Sequence, residues 1–311
     1  MRNATLDHAR LIAAAGIVVF HSGAPGAAIG YAGLPFFLML LMLLAWPAAE
    51  RQPFGAFAGA RVARLLVPWA VWGAVYGALK LAEVAVTGRP LGAEFAPWML
   101  LTGPALHLWF LPFAAAICLV LWPLARGAAT LDPQSRGMLA GLAAAVAVAA
   151  LLVQQGADLP RPFAQWAEAA PAVALGTAMA LAAGSRGAAA LVAGAVAVLA
   201  VAGWPQGATQ LALAGAALWL CLVLPLPETH LGSQAGRLAA DLSLTVYVAH
   251  PLVSSMLVRA TPLAEKSTGL ALATVAATLV LALALWGAPR IASRLVPGIF
   301  ARRAAAPPNP T

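Results

Sequence analysis

The sequence predicts an all-α, polytopic membrane protein with about ten transmembrane helices, and three observations lead to this fold class. Apolar residues make up 62% of the 311 positions, whereas charged residues make up only 9%. The mean hydropathy of the chain is +0.88. Soluble domains carry about 25% charged residues, so this composition excludes an ordinary soluble protein. The chain instead divides into apolar stretches long enough to cross a bilayer, which takes about 20 helical residues.

We predict one membrane span for each stretch of about 17 to 25 mostly apolar residues. An even number of spans places both ends of the chain on the same side of the membrane. The predicted spans, in chain order, are 8–29, 31–48, 65–86, 105–124, 137–153, 168–183, 187–203, 209–225, 240–258 and 268–288.

The distribution of basic residues predicts that both termini are cytoplasmic. With the N-terminus inside, 13 of the 18 Lys and Arg residues fall in cytoplasmic segments, four fall on the opposite side and Lys80 falls inside the third span. This asymmetry is the one that the positive-inside rule requires, so the net charge of +8 indicates topology rather than a nucleic-acid partner. We expect residues 1–303 to form one membrane domain and residues 304–311 a disordered cytoplasmic tail.

The beginning of the first span also resembles a secretory signal peptide. Arg2 and Arg10 precede an apolar run, and small residues follow at positions 22–27. Because another apolar run begins within ten residues and nine further spans follow, we expect the first helix to be retained. Residues 21–26 are poor helix formers, since Pro25 removes an amide donor, and a helix break is predicted there.

Arg10 and His21 form the first candidate constellation. They are eleven positions apart, close to three helical turns, so both project from one face of the first helix, roughly 16 Å apart. Ionisable side chains at membrane depth are costly and therefore suggest a functional site. Two interpretations of His21 stay open: a catalytic group, or an interior histidine bonded to a neighbouring helix. Asp7, one turn before Arg10, is expected to orient it as an ion pair.

Arg61 and Arg64 form the second constellation, in the predicted loop between the second and third spans. Arginines three positions apart share a helical face, and guanidinium groups hold phosphates through forked, charge-assisted bonds. The alternative, and the simpler interpretation of an isolated Arg-x-x-Arg, is positive-inside anchoring of the third span.

A polar stripe marks the ninth span. Ser243, Tyr247 and His250 stand at i, i+4 and i+7 on an otherwise apolar helix, and Pro251 follows. Because such a stripe would be costly against lipid, we expect it to face the interior of the helix bundle.

Three further side chains that could take part in chemistry stand alone in the sequence. His107 precedes aromatic residues at the outer start of the fourth span, where we expect an interfacial group in contact with water or with an acceptor. Cys118 and Cys221 lie singly in apolar segments, where packing is their expected role, and no metal site is predicted.

Taken in order, five motifs resemble the acyltransferase-3 family of integral membrane acyltransferases, and together they run through most of the chain. The chain departs from the family at Leu38-Met39, where members usually carry a Ser-Gly pair after the two phenylalanines. The five motifs are Leu6-Asp7-His8-Ala9-Arg10 leading to His21, Gly33-Leu34-Pro35-Phe36-Phe37, Arg61-x-x-Arg64 with Pro68, Leu108-Trp109-Phe110-Leu111-Pro112, and Ser243-Leu244-Thr245-Val246-Tyr247-Val248-Ala249-His250-Pro251.

The resemblance implies an enzyme that transfers an acyl group, commonly acetyl from acetyl-CoA, to hydroxyl groups of cell-envelope glycans or glycolipids. It implies functional roles for Arg10 and His21, which form the arginine-x(10)-histidine motif, and for the pair Arg61 and Arg64. We expect the arginines to bind the phosphates of cytosolic acetyl-CoA, and His21 to act as general base or transient acetyl carrier.

Tyr247 and His250 are further candidates, for acceptor positioning or proton relay. Arginine outnumbers lysine 16 to 2, a usage associated with GC-rich bacterial genomes, so the expected location is a bacterial cytoplasmic membrane. The competing class is a secondary transporter or a translocase of a lipid-linked glycan. We find no internal repeat in the sequence, and this argues against that class. A catalytically inactive relative that acts as an assembly partner is a third possibility.

Overall fold

The computed structural model describes residues 3–154, 158–183, 194, 207–224 and 229–295. Every regular element in these residues is helical, which confirms the all-α class. The chain divides into two compact units: the first combines Met1–Ala27 with Leu226–Thr311, and the second is Ala28–Pro225.

The helices of the described residues are labelled in chain order. They are α1 (Ala4–Ser22), α2 (Ala27–Gly30), α3 (Gly33–Arg51), α4 (Phe54–Arg61), α5 (Val67–Thr87), α6 (Leu91–Glu94), α7 (Met99–Thr102), α8 (Phe110–Ala129), α9 (Pro133–Gln154), α10 (Phe163–Ala182), α11 (Ala208–Val223), α12 (His230–Ala260) and α13 (Thr268–Leu295), with a π-helical turn at Val62–Leu66 and a 3₁₀ turn at Leu106–Trp109.

Helix α1 begins and ends at residues suited to those positions. The Asn3 side chain accepts hydrogen bonds from the backbone N–H groups of Thr5 and Leu6, at 2.9 and 3.3 Å. At the other end, Gly23 has a φ of 64°, in the left-handed region that favours glycine as a C-cap. The helix break predicted at residues 21–26 is thus confirmed, and α1 ends at Ser22 within the predicted first span of 8–29.

In the first unit, α1 and α12 lie side by side and run in the same direction. Near their N-terminal ends, a Cβ at Gly236 would lie 3.3 Å from Cε1 of His8, so glycine permits close approach of the two helices. Near their C-terminal ends, the rings of His21 and His250 are in contact. Helix α13 returns antiparallel to α12, and the indole N–H of its Trp286 donates to Asp241 at 3.2 Å.

Helix α3 is the central helix of the second unit. It contacts α8, α10 and α11, and ten of its 19 residues are buried. A Cβ at Gly176 of α10 would lie only 2.7 Å from the Cα of Met39, so the two backbones meet where one residue has no side chain. Small residues permit this kind of close packing between membrane helices.

Polar contacts around Glu50 connect three helices at one end of the second unit. The Glu50 carboxylate accepts a hydrogen bond from the Trp46 indole at 3.0 Å and pairs with Arg136 of α9. Its backbone carbonyl accepts from Arg126 of α8 at 3.0 Å. These bonds join the C-terminal end of α3 to α8 and α9.

Six helical stretches in the described part of the chain are long and apolar enough to cross a membrane. Helices α1, α10 and α11 overlap the predicted first, sixth and eighth spans but are not among these six stretches. The predicted span 187–203 and the tail 304–311 lie outside the described residues. The count of ten and the cytoplasmic position of both termini remain predictions. The six stretches are Ala27–Arg51, Phe54–Thr87, Leu106–Ala129, Pro133–Val153, Leu231–Ala260 and Thr268–Ala288.

The predicted loop between the second and third spans is wrong, because this segment is helical. Helix α4 continues through the π-helical turn Val62–Leu66 directly into α5. Pro68 stands in the first turn of α5, directly after the π-helical turn. The local sequence is rich in alanine, leucine and arginine, which are good helix formers, and this explains the difference.

Candidate active site

His21 stands in the last turn of α1 and is exposed. The ring of Phe20 lies edge-on to its imidazole, with centroids 5.1 Å apart. Because the chain leaves the helix at Gly23, no further helical turn covers this imidazole. The histidine predicted as catalytic is therefore reachable at the end of α1, although one side of its ring is covered by the neighbouring helix α12.

The neighbouring imidazole, His250, is almost fully buried and has a defined orientation. Its Nδ1 lies 2.7 Å from the backbone carbonyl oxygen of Tyr247. In a regular helix this carbonyl would accept from the N–H of residue 251, but Pro251 has none. The proline thus leaves a carbonyl to which the Nδ1–H of His250 donates, and Nε2 of the neutral ring then carries the lone pair.

The two imidazoles meet although they are 229 positions apart in the sequence. Their ring centroids are 5.0 Å apart and the ring planes are inclined by 35°. Both rings line one cavity of about 380 Å³, within the range of roughly 300–1,000 Å³ typical of ligand sites. The cavity is lined by Val18, His21, Ser22, His250, Pro251, Ser254, Ser255, Val258, Arg259, Glu265 and Thr274.

Several cavity residues were missed by the sequence reasoning. Ser254 lies one turn beyond His250 and continues the polar stripe, so helical periodicity alone was enough to find it. Arg259 and Glu265 lie at the end of α12 and in the following loop, which were read only as topology. Thr274 comes from α13, and no local signal in the sequence connects it with His21.

The rest of the stripe on α12 faces the interior, as predicted. Ser243 and Tyr247 are 1% and 6% exposed, and the Ser243 hydroxyl donates to the carbonyl of Ala240 at 2.9 Å. The Tyr247 ring centroid lies 6.3 Å from that of His250. Tyr247 therefore adjoins the buried side of His250. Along α12, His250 is the first residue that lines the cavity, and Tyr247 does not line it.

Arg10 lies on the same helix as His21 but near its other end. Its guanidinium is 3.8 Å from the Asp7 carboxylate, which confirms the predicted ion pair. The Arg10 side chain is 30% exposed and that of Asp7 is 10% exposed. Arg10 does not line the cavity. Eleven residues separate it from His21, so it lies about three turns away from the imidazole pair along α1.

Arg61 and Arg64 belong to the second unit, on either side of the start of the π-helical turn. The Arg61 guanidinium is half-buried over the ring of Phe57, 5.0 Å from its centroid, a cation–π arrangement. Arg64 is exposed. The two arginines of the predicted pair therefore have different surroundings. The turn that carries Arg64 is π-helical, and such turns are frequent at functional sites.

His107 does not occupy the predicted position at the water interface. It is 8% exposed, and its ring packs edge-on against Tyr76 with centroids 5.1 Å apart. Trp109 is also buried, with its ring 5.5 Å from that of Phe113. The expectation was wrong because the 3₁₀ turn Leu106–Trp109 directs these rings into the core of the second unit.

The arrangement in the first unit is suited to proton transfer and acyl transfer. A neutral imidazole in a cavity can take the proton of a hydroxyl group, or attack an acyl carbon itself. The fold and the site define the class: a helical, polytopic membrane protein with two imidazoles in a polar cavity.

Comparison with known families agrees with this class. The family model described as acyltransferase domain matches residues 3–287 of the chain. The chain therefore belongs to the acyltransferase-3 family, which implies an acyltransferase. Neither the curated proteins nor the solved structures contain a match to it.

Leu38 and Met39, where the chain departs from the family resemblance, are both fully buried in the second unit. The backbone of Met39 lies against Gly176 of α10, so these two residues belong to the close contact between α3 and α10.

Proposed function

We propose that this protein transfers an acetyl group from cytosolic acetyl-CoA to a hydroxyl group of a cell-envelope glycan or glycolipid, in the cytoplasmic membrane of a bacterium. The observation that carries the proposal is the pair of imidazoles, His21 and His250, in contact at 5.0 Å in a polar cavity of the first unit. Membership of the acyltransferase-3 family supplies the reaction class.

His21 is the proposed general base. As the hydroxyl oxygen of the acceptor attacks the thioester carbonyl carbon, the imidazole takes the hydroxyl proton. The resulting oxyanion collapses, the C–S bond breaks, and the imidazolium returns the proton to the leaving thiolate. The products are the acetyl ester of the acceptor and free coenzyme A. This role requires a neutral, accessible ring, and His21 is exposed at the end of α1.

His21 acting as an acetyl carrier is the second form of the same proposal. Here the ring nitrogen attacks the thioester, coenzyme A leaves, and the acetyl-imidazole is then attacked by the acceptor hydroxyl. In either form, His250 and Tyr247 are positioning residues. The bond from His250 to the Tyr247 carbonyl holds the second ring beside the first.

The donor is proposed to bind through three arginines, Arg10, Arg61 and Arg64. Coenzyme A carries several phosphates, and forked guanidinium groups are well suited to hold them. All three belong to segments that the charge distribution predicts to be cytoplasmic. The exposed guanidinium of Arg64 and the partly exposed one of Arg10 support this role, since a phosphate ligand must reach them from solvent.

The test is transfer of radiolabelled acetyl from acetyl-CoA to membrane glycans by the purified protein. His21→Ala is expected to lower the rate at least 100-fold, whereas Arg64→Ala raises the KM for acetyl-CoA about tenfold and leaves kcat unchanged. Arg161→Ala is the matched control, because Arg161 is also exposed but lies on the predicted opposite side. Absence of both acetyl-CoA binding and label transfer contradicts the proposal, and glycan counterflow without acetylation supports a transporter instead.

The same assay separates base from carrier. Rapid quenching before acceptor is added leaves label on the protein only if an acetyl-imidazole forms, and hydroxylamine removes such label. Label on the wild type that is missing from His21→Ala indicates the carrier form, and its absence during active transfer indicates the general base.

A further inference from the structure

The cavity has an unusual chemical composition for this chain. Eight of the eleven lining residues, the two imidazoles included, are polar or charged, whereas apolar residues make up 62% of the whole sequence. The apolar lining residues are Val18, Pro251 and Val258. These side chains give the cavity hydroxyl, imidazole and charged groups to which a hydrophilic ligand can form hydrogen bonds.

Arg259 and Glu265 form the charged rim of this cavity. Both are exposed, whereas His250 and Thr274, deeper in the same cavity, are each 1% exposed. Arg259 is in the last turn of α12, and Glu265 is in the loop before α13. Among the residues that line the cavity, the rim thus carries one fixed positive and one fixed negative charge, and Lys266 adds a further positive charge in the adjoining loop.

The position of Glu265 is constrained by its neighbour in the loop. Lys266 has a φ of 59°, and its Cγ lies 3.2 Å from the place that a Cβ on Gly23 would occupy. The aliphatic part of Lys266 therefore packs directly on Gly23, the C-cap of α1, two residues from His21. This contact holds the loop, and with it Glu265, against the helix that presents the proposed base.

The balance of charge limits the kind of ligand that fits. An anionic ligand would be repelled by Glu265 and a cationic one by Arg259. A neutral group with adjacent hydroxyls suits both, because a guanidinium donates to hydroxyl oxygens and a carboxylate accepts from hydroxyl hydrogens. Ser254 and Ser255, on the same part of α12, offer further hydroxyl donors and acceptors.

We propose that Arg259 and Glu265 determine acceptor specificity, by holding adjacent hydroxyls of a neutral sugar so that another hydroxyl of that sugar reaches His21. This inference rests on the proposed acetyl transfer. It adds the charge class of the acceptor and the two residues that select it. The residues act on acceptor binding alone, since neither belongs to the proposed donor site.

The test compares three soluble acceptors of the same shape: methyl β-D-glucoside, the corresponding glucuronide and the corresponding glucosaminide. The wild type is expected to favour the neutral glucoside about tenfold in kcat/KM. Arg259→Gln and Glu265→Gln each raise its KM about tenfold, with kcat and the KM for acetyl-CoA unchanged. Glu265→Gln also improves the relative use of the anionic glucuronide, and Arg259→Gln that of the cationic glucosaminide.

Binding of radiolabelled methyl β-D-glucoside without any donor provides a second readout. Glu83→Gln is the matched control, since Glu83 is an exposed glutamate on α5 of the second unit. Wild-type KM and binding in both rim variants, or a wild-type preference for the glucuronide, overturns the acceptor inference while acetyl transfer stands. Glucoside binding that depends on both rim residues without acetyl transfer overturns the proposed function but retains the sugar site, and neither binding nor transfer overturns both.

Discussion

Replacing Pro251 with alanine tests whether the proline orients the second imidazole of the site. The alanine restores a backbone N–H at position 251, which can donate to the Tyr247 carbonyl in the regular helical pattern. That carbonyl now accepts from Nδ1 of His250 at 2.7 Å. The new N–H therefore competes directly with the imidazole for the same acceptor, without removing either histidine.

Two opposite effects are expected from this substitution. An intramolecular hydrogen bond contributes about 1 kcal/mol net, so weakening the imidazole bond changes the population of the oriented ring about fivefold. We expect kcat to fall by about that factor. Proline inside a helix costs about 3 kcal/mol relative to alanine, so thermal stability is expected to rise while activity falls.

The assay pairs acetyl transfer with thermal unfolding and with ¹⁵N spectra of histidine-labelled protein. The His250 resonances, assigned by their loss in His250→Gln, report which ring nitrogen carries the proton. Pro123→Ala is the control, because Pro123 also lies inside a helix, α8, but is exposed and belongs to the second unit. This control is expected to become more stable with unchanged activity.

A specific result contradicts the reasoning. If Pro251→Ala keeps wild-type kcat and the proton stays on Nδ1, the proline does not orient the ring. A loss of activity equal to that of His250→Gln, with lower thermal stability, also contradicts it, since this pattern indicates local misfolding instead of a change in orientation.

The remaining predictions concern the stability of the second unit. Gly176→Ala is expected to destabilise it by about 1–3 kcal/mol, because the new methyl group would lie 2.7 Å from the Cα of Met39. The control, Gly287→Ala on α13 of the first unit, has open space at its Cβ and is expected to stabilise slightly. Equal unfolding midpoints for the two variants exclude the close contact. The hydrogen bond from Lys80 lowers the pKa of the Glu94 carboxyl group. The stabilisation that this pair contributes is therefore present above the ordinary carboxyl pKa and is lost as the pH falls through the lowered pKa. Glu94→Gln is therefore expected to lower the unfolding midpoint at pH 7 and to match the wild type at strongly acidic pH, and a difference that is constant with pH counts against this pair.

Local features of the site could be predicted from the sequence because they depend on spacing within one helix. The ion pair of Asp7 with Arg10 and the interior stripe on α12 follow from helical periodicity, and the break after α1 follows from Gly23 and Pro25. Predictions that needed the surroundings of a residue were less successful. His107 was placed at an interface by its position in the sequence, whereas a 3₁₀ turn buries it against Tyr76.

The sequence by itself determined the all-helical membrane class and the candidate residues on each helix. A low charge content and long apolar stretches leave few other folds open. Only the tertiary structure decided that His21 meets His250 at 5.0 Å, that Arg259 and Glu265 form the rim above them, and that Gly176 lies against Met39. The physical reason is that spacing along a chain specifies which face a side chain occupies, whereas the choice of neighbouring helix depends on packing between surfaces far apart in sequence.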